Sequence, residues 1–177
     1  MTRLPPALSD SFIFGFAGFS GSGKTTLAEK IITKAAKAGV RVATLKHAHH
    51  DFDADIEGKD SWRHRKAGAE QVIVASANRI AHFTEKTKAE RPKLFDLLAR
   101  LERCDWVMVE GFKEEPIAKI ELFDPALSDT PRYLNDTNII AIISQTALED
   151  CPLPCFHRDD VEAIFAFLQS YAQDGRS

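Results

Sequence analysis

The sequence predicts an α/β fold in which a mostly parallel β-sheet carries helices on both faces. Segments with the apolar runs of buried strands alternate along the chain with segments of helical periodicity, which is the pattern of a parallel sheet. The first strand also leads through a glycine-rich stretch directly into a helix. At 177 residues the chain has the length of one domain, so we predict a single domain over residues 1–177, with its core between about 12 and 172.

The first strand and the first helix flank the glycine-rich stretch. Residues 12–17 (FIFGFA) form an apolar run and predict a strand. Residues 25–38 (TTLAEKIITKAAKA) place Leu27, Ile31 and Ala35 at four-residue spacing on one face, and a glycine follows as a natural end. The two segments therefore predict a strand, a tight loop and an amphipathic helix in that order.

The middle of the chain predicts shorter elements. Residues 92–102 (PKLFDLLARLE) predict a helix, because four leucines share one face and Pro92 suits the first turn. The other elements predicted here are a helix at 61–68 (SWRHRKAG) and strands at 40–45 (VRVATL), 71–75 (QVIVA) and 79–84 (RIAHFT).

The last third of the chain predicts three strands and a closing helix. The strands are 106–109 (WVMV), 117–123 and 138–144 (NIIAIIS). A helix is expected at about 159–172, where apolar residues from Val161 to Tyr171 share one face and Asp159 or Asp160 lies near the N-cap. The polar stretch 124–137 has no periodicity and predicts a surface loop.

Composition argues against several classes of partner. The formal net charge is -3 and the isoelectric point is about 6.1, so no general attraction to nucleic acid or to a membrane surface is expected. No apolar run approaches the roughly 20 residues of a membrane span, and residues 1–11 lack the apolar centre of a signal peptide. We therefore expect a soluble, cytoplasmic protein.

The stretch GFSGSGKTT (18–26) matches the P-loop pattern G-x-x-x-x-G-K-[ST]. In such a loop the backbone N–H groups surround phosphate oxygens, and the dipole of the following helix favours the bound anion. Lys24 would reach the β- and γ-phosphates, and the Thr25 hydroxyl would bind Mg²⁺. The fold predicted is thus a single-domain P-loop NTPase fold. The phosphate-binding residues expected are Gly18, Gly21, Ser22, Gly23, Lys24, Thr25 and Thr26.

Polar residues follow four of the predicted strands, and ligands of open α/β sheets bind at the carboxyl ends of the strands. Glu110 ends the buried strand WVMV, where an acidic residue commonly holds Mg²⁺ opposite the P-loop hydroxyl. The alternative interpretation is that Glu110 is a loop or helix-capping carboxylate. The four clusters are the P-loop, Lys46–Asp51, Ser76–Arg79 and Glu110–Lys113.

The stretch KHAHHDFDADIEGKDSWRHRK (46–66) allows two interpretations. The first is a switch-like loop in which Asp60 contacts Mg²⁺ or positions water, while Arg63, Arg65 and Lys66 meet phosphate or an anionic partner. The second is a transition-metal site built from the nearby histidines and aspartates. The residues of that metal site would be His47, His49, His50, Asp51, Asp53 and Asp55.

Four segments resemble the MobB family, the molybdopterin-guanine dinucleotide biosynthesis adapter proteins. They are GFSGSGKTTL, RVATLKHAHHDFDADIEGKDSWRHRKAGA, VASANR and VMVEGFKEEPIAKIEL. The P-loop is shared with many proteins, whereas the KH-x-HHDFD…GKDSWRHR combination is far more specific. The similarity runs from about residue 12 to residue 143.

The resemblance implies a GTP-binding homodimer with weak GTPase activity that assists a MobA-type nucleotidyltransferase in joining GMP to molybdopterin. It implies that Thr25 and Glu110 bind Mg²⁺ and that Asp60 lies in the switch loop. The catalytic residues that we predict are Lys24, Asp60 and Glu110, and the predicted Mg²⁺ contacts are Thr25, Asp60 and Glu110. The resemblance also suggests that Ser76, Asn78 and Arg79 reach the nucleotide. The guanine preference rests on the resemblance alone, because no N-K-x-D motif occurs in the chain.

Two other functions stay open at this point. A small-molecule kinase that uses ATP would share the P-loop and a sheet of this size, but the stretch 124–137 offers only Arg132 for an arginine-bearing lid. A metallochaperone-type GTPase would carry its metal on the histidine-rich loop.

Overall fold

The computed structural model describes residues 4–48, 51–86, 88, 90–146, 148 and 150–174. The chain divides into two compact units: unit 1 comprises Met1–His47 and Lys93–Ser177, and unit 2 comprises Ala48–Pro92. The prediction that residues 1–177 form one domain therefore stays a prediction.

The described strands and helices follow one another along the chain in the predicted order, with one additional strand before the last helix. The strands are β1 (Phe12–Ala17), β2 (Val42–Lys46), β3 (Gln71–Ser76), β4 (Arg79–Thr84), β5 (Trp106–Glu110), β6 (Ala118–Leu122), β7 (Ile139–Ser144) and β8 (Cys155–His157). The α-helices are α1 (Lys24–Lys37), α2 (Asp60–Lys66), α3 (Leu94–Leu98) and α4 (Val161–Asp174), and two single-turn 3₁₀ helices cover Pro6–Leu8 and Arg132–Leu134.

Unit 1 is built on a six-stranded sheet in the order β2-β5-β1-β6-β7-β8. Every neighbouring pair in this sheet is parallel. The P-loop strand β1 is flanked by β5 on one side and by β6 on the other. The parallel sheet confirms the predicted α/β class. Because all its strands run in the same direction, their carboxyl ends lie at one edge of the sheet.

Both faces of this sheet are covered. On one face α1 and α4 pack against alternate residues of the strands, including Phe14, Trp106 and Ile120. On the other face Leu94 and Leu98 of α3 and Leu8 of the first 3₁₀ helix pack against Val107 and Val109 of β5. The apolar runs are thus explained by burial on two sides.

Unit 2 contains a separate two-stranded sheet, β3-β4, and the helix α2. The two strands are antiparallel, with Ser76 paired to Arg79 across the turn. The expectation that the strand at 71–75 ends at the carboxyl edge of the main sheet is therefore wrong. Two connecting residues allow only an antiparallel hairpin, since a parallel crossover needs a dozen or more.

The helix predicted at 92–102 is shorter in the structure, where α3 covers Leu94–Leu98. The strand β8 was not predicted, because its three residues, Cys155–His157, are too few for a periodicity signal. Among the residues that the structure describes, no helix has both the length and the apolar character that a membrane crossing requires.

Candidate functional site

The loop between β1 and α1 is tightly curved, as the P-loop pattern requires. Gly18 has a φ of 140°, and a Cβ atom there would lie 2.6 Å from the Leu122 carbonyl oxygen. Gly23 adopts a left-handed conformation with a φ of 89° immediately before Lys24, the first residue of α1. These positions favour glycine because a side chain would be strained at both and would collide with backbone at Gly18. The loop ends at the N-terminus of α1, the end of a helix that favours a bound anion.

Lys24 lies folded against the loop that precedes it. Its Nζ donates to the carbonyl oxygens of Gly18 at 3.0 Å and Phe19 at 2.6 Å. Burial lowers the pKa of Lys24; the charge of Glu110 acts in the opposite direction, and that of Lys46 lowers the pKa further. Glu110 and Lys46 therefore both lie close enough to influence the P-loop lysine electrostatically.

Glu110 lies at the carboxyl end of β5, beside the P-loop strand. It pairs in register with Phe16 of β1 on one side and with Lys46 of β2 on the other. Its Oε2 lies 3.5 Å from the Nζ of Lys46. The strand order thus brings Glu110 to the same sheet edge as the P-loop, as the sequence predicted.

The end of β5 is held close to the end of β2. The His47 N–H donates to the Glu110 carbonyl oxygen at 2.8 Å. The next residue, Gly111, has a φ of 90°, and a Cβ atom there would lie 2.9 Å from the His47 carbonyl oxygen. This close approach fixes the position of the Glu110 backbone relative to β2.

The donor set at this edge fits a nucleotide phosphate with Mg²⁺. Thr25 and Thr26 lie exposed in the first turn of α1, where backbone N–H groups have no intrahelical acceptor. A threonine hydroxyl and a glutamate carboxylate are hard oxygen ligands of the kind that Mg²⁺ prefers. Thr25 and Glu110 would hold the metal, and the loop N–H groups together with Lys24 would hold the phosphates.

Arg158 is a residue of this edge that the sequence analysis did not identify. It follows β8, and its N–H donates to the Ser144 carbonyl oxygen at the end of β7 at 3.1 Å. Its Nη2 donates to the Ser22 carbonyl oxygen in the P-loop at 3.3 Å. The polar run that follows Phe156 was the available signal, but without β8 nothing placed it beside the P-loop.

The remaining candidate residues belong to unit 2. Asp60 is the exposed first residue of α2. Ser76, Asn78 and Arg79 lie at the β3-β4 turn, where the Ser76 Oγ donates to the Arg79 carbonyl oxygen at 3.3 Å and accepts from the Asn78 N–H at 3.4 Å. The Ser76 hydroxyl thus stabilises the hairpin turn, and the nucleotide role of all four residues stays a prediction.

Arg65 has a structural role in unit 2. Its guanidinium donates to Asp53 at 2.6 Å, to Asp55 at 3.1 Å and to Glu85 at 2.7 Å, and it stacks over the Phe83 ring. These bonds raise the pKa of Arg65 and lower that of Asp53. Arg65 therefore joins the segment before α2 to the end of β4.

The predicted metal cluster is only partly covered by the structure. His49 and His50 lie outside the described residues. Within the described ranges, no group of three or more histidine, cysteine or acidic side chains is arranged to hold a metal ion. Two of the predicted ligands, Asp53 and Asp55, are instead paired with Arg65.

Comparison with known proteins identifies the family. Residues 13–145 match the MobB family model, described as molybdopterin guanine dinucleotide synthesis protein B. The chain belongs to this family. The MobB resemblance stated from the sequence is thereby confirmed.

The similarity to individual MobB proteins extends over most of both chains. A protein of Escherichia coli (strain K12) named molybdopterin-guanine dinucleotide biosynthesis adapter protein is 41% identical over 164 residues, which cover 91% of this chain and 93% of that protein. A protein of the same name from Haemophilus influenzae is 44% identical over 140 residues, 77% of this chain and 76% of that protein. The crystal structure of a MobB homologue from Bacillus stearothermophilus aligns with a TM-score of 0.68 at 26% identity, covering 92% of this chain and 98% of that one.

Proposed function

We propose that this chain is a GTP-binding adapter in molybdopterin guanine dinucleotide biosynthesis, with weak GTPase activity and a MobA-type nucleotidyltransferase as its partner. The observation that carries the proposal is the position of Glu110 on the strand beside the P-loop strand, in register with Phe16 just before the loop that leads to Lys24. Membership of the MobB family and the names of its relatives support the pathway.

Each candidate residue of unit 1 has a defined role in this proposal. The loop from Gly18 to Thr26 binds the phosphates of GTP, with Lys24 neutralising their charge. Thr25 and Glu110 hold Mg²⁺. The metal or water role of Asp60 and the nucleotide role of Ser76, Asn78 and Arg79, all residues of unit 2, stay predictions from the sequence.

Slow turnover is expected from this set of groups. Phosphoryl transfer to water needs a positioned nucleophile in addition to charge neutralisation. Lys24 and Glu110 supply charge and a metal ligand, and Lys46 lies beside the Glu110 carboxylate. A partner or a second subunit would therefore have to complete an efficient hydrolytic site.

The exposed face of the β3-β4 hairpin supports a homodimer. Ile73 and Ile80 are 65% and 72% exposed. Ile73 pairs with His82 and Ile80 pairs with Ala75, and paired residues of neighbouring strands lie on the same face of the sheet. Since Ile73 and Ala75 are two residues apart on β3, they also share a face, so both isoleucines lie on one face of the hairpin. Exposed apolar patches of this kind mark protein interaction sites.

The basic residues of α2 are the candidates for binding an anionic pterin or the partner enzyme. Since Arg65 is already paired with carboxylates, this binding would depend on the exposed Arg63 and its neighbours. The cytoplasmic location stays a prediction.

Nucleotide binding by calorimetry with Mg²⁺ tests the proposal. We expect wild type to bind GTP more tightly than ATP and Lys24→Ala to lose most of the binding, because the phosphate charge is then unopposed. Lys37→Ala is the matched control, since Lys37 is exposed at the far end of the same helix. Turnover measured on the same samples should be slow in wild type and lower still in Lys24→Ala.

The contrary results are equally specific. A preference for ATP would contradict GTP as the ligand and favour the kinase alternative. If the chain binds GTP but added nucleotidyltransferase changes neither affinity nor turnover, the proposed partner enzyme is contradicted and the proposed nucleotide is not.

A further inference from the structure

The strand order gives a direction to a nucleotide bound at the P-loop. Mg²⁺ bridges the β- and γ-phosphates in P-loop proteins, and its candidate ligand Glu110 lies on β5, on one side of β1. The γ-phosphate end of a bound nucleotide would therefore lie on the β5 side of the loop. Its nucleoside end would extend the other way, toward the edge formed by β6, β7 and β8. This step rests on the proposed function, because it takes the ligand to be a nucleotide triphosphate with Mg²⁺.

Arg158 lies on the nucleoside side of the P-loop. Its Nη2 donates to the Ser22 carbonyl oxygen at 3.3 Å, and its Nη1 lies 3.8 Å from the position that a Cβ on Gly23 would occupy. The guanidinium thus lies against the part of the loop that precedes Lys24. Its own backbone is held by the bond to Ser144.

The guanidinium has donors that the protein does not use. The Nε atom is buried and has no hydrogen-bond partner among the described residues. None of the ion pairs between described residues includes Arg158. An arginine carries five N–H donors, four of them on the two Nη atoms, and among the described residues these four make one hydrogen bond, to Ser22. A ligand with acceptor atoms on this side of the loop would accept from the remaining Nη donors.

We propose that Arg158 selects guanine by donating to the O6 and N7 atoms of the base. Two acceptors on one edge of guanine match the fork of a guanidinium, whereas adenine presents N7 beside a donor amino group. The chain has no N-K-x-D motif, so the base must be read by other residues. The bond to Ser22 fixes the orientation of the fork relative to the bound phosphates.

Calorimetry with four nucleotides and Mg²⁺ tests this assignment. The ligands are GTP, ITP, 7-deaza-GTP and ATP, and the proteins are wild type, Arg158→Gln and Arg158→Lys. ITP keeps both acceptors, whereas 7-deaza-GTP lacks N7. Arg103→Gln is the control, because Arg103 is exposed just before β5, at the amino edge of the sheet opposite the P-loop.

In wild type we expect ITP to bind like GTP, and 7-deaza-GTP and ATP to bind about fivefold or more weakly, as the loss of a bidentate base contact predicts. In Arg158→Gln the affinity for GTP should fall by a similar factor, and the penalty for 7-deaza-GTP should disappear. Arg158→Lys should bind GTP more weakly than wild type, because lysine keeps the charge but not the fork. Arg103→Gln should match wild type with every ligand.

A purely structural tether would give another pattern. If Arg158 only holds the P-loop, Arg158→Gln weakens all four nucleotides by the same factor and keeps the penalty for 7-deaza-GTP, which overturns the inference. A wild type that prefers GTP over ATP but does not distinguish 7-deaza-GTP overturns the inference alone. A wild type that binds neither GTP nor ATP overturns the proposed function together with the inference.

Discussion

At the scale of single residues, buried charge holds the loop after β6 in place. The Lys119 side chain is 3% exposed, and its Nζ lies 2.8 Å from the Oδ2 of Asp136. The Oδ1 of Asp136 also accepts bonds from Asn138 at 3.0 and 2.9 Å. On the same strand Glu121 accepts from the N–H groups of Arg132 and Tyr133. Polar strand residues that the sequence pattern cannot explain are thus satisfied by the loop at 124–137.

The variant Asp136→Asn should destabilise the protein by about 3 to 5 kcal/mol at pH 7, because it leaves a buried lysine without its counter-ion. The measurement is urea unfolding followed by circular dichroism. Asp129→Asn is the control, since Asp129 is exposed in the same loop. An effect of Asp136→Asn no larger than that of the control would show that the pair contributes no net stability.

The same pair gives wild type a pH dependence. Burial raises the pKa of Asp136, but the bonds from Lys119 and Asn138 outweigh it and leave the pKa below its ordinary value of 3.8. A carboxyl group with a lowered folded-state pKa adds stability above its unfolded-state pKa, and this stability is lost as the pH falls through the folded-state value. The difference in stability between wild type and Asp136→Asn should therefore be constant near neutral pH and shrink below pH 3.8.

At the scale of elements, the pairing partner of a strand decides in which sheet the strand lies, and its position in the sequence does not. The strands at 71–76 and 79–84 occupy the predicted positions, but they form a hairpin outside the parallel sheet. One face of this hairpin packs Val72 and Phe83, while Ile73 and Ile80 are exposed on the other. An apolar outer face of this kind is expected to be covered in the assembled protein.

Replacing both outer residues, Ile73→Thr with Ile80→Thr, should turn the expected dimer into a monomer of 19.7 kDa. Threonine keeps the β-branched shape that strands favour, so the hairpin itself should persist. Size-exclusion chromatography with light scattering at several concentrations measures the mass. Leu127→Thr is the control, because Leu127 is exposed in the loop after β6. A double variant that stays dimeric would place the interface elsewhere.

At the scale of the whole molecule, the question is whether the two units fold as one domain. Unit 2 is inserted between β2 and α3, so the chain both enters it from unit 1 and returns to unit 1. Among its described residues, Val72 is the one buried hydrophobic side chain. So small a core does not stabilise 45 residues by itself. We therefore expect unit 2 to unfold together with unit 1.

The two tryptophans provide the test, because Trp62 lies in unit 2 and Trp106 in unit 1. Trp62→Phe leaves Trp106 as the fluorescent reporter, and Trp106→Tyr leaves Trp62. In each variant the urea midpoint from fluorescence should coincide with the midpoint from far-ultraviolet circular dichroism of the same sample. A Trp62 transition at lower urea than the dichroism transition would show that 1–177 is not one cooperative domain.

The sequence by itself determined the α/β class, the P-loop from Gly18 to Thr26 and the position of Glu110 at the end of a buried strand. These follow from local signals: the glycines and the lysine have fixed spacing, and apolar runs reveal strands that are buried on two faces. Only the tertiary structure decided which strands are neighbours. In the observed strand order Glu110 lies beside β1, and Ser76 to Arg79 belong to a separate hairpin. Arg158 contacts Ser22, although the two residues are 136 positions apart in the sequence. Pairing between distant segments depends on the packing of the whole chain, and no short stretch of residues encodes it.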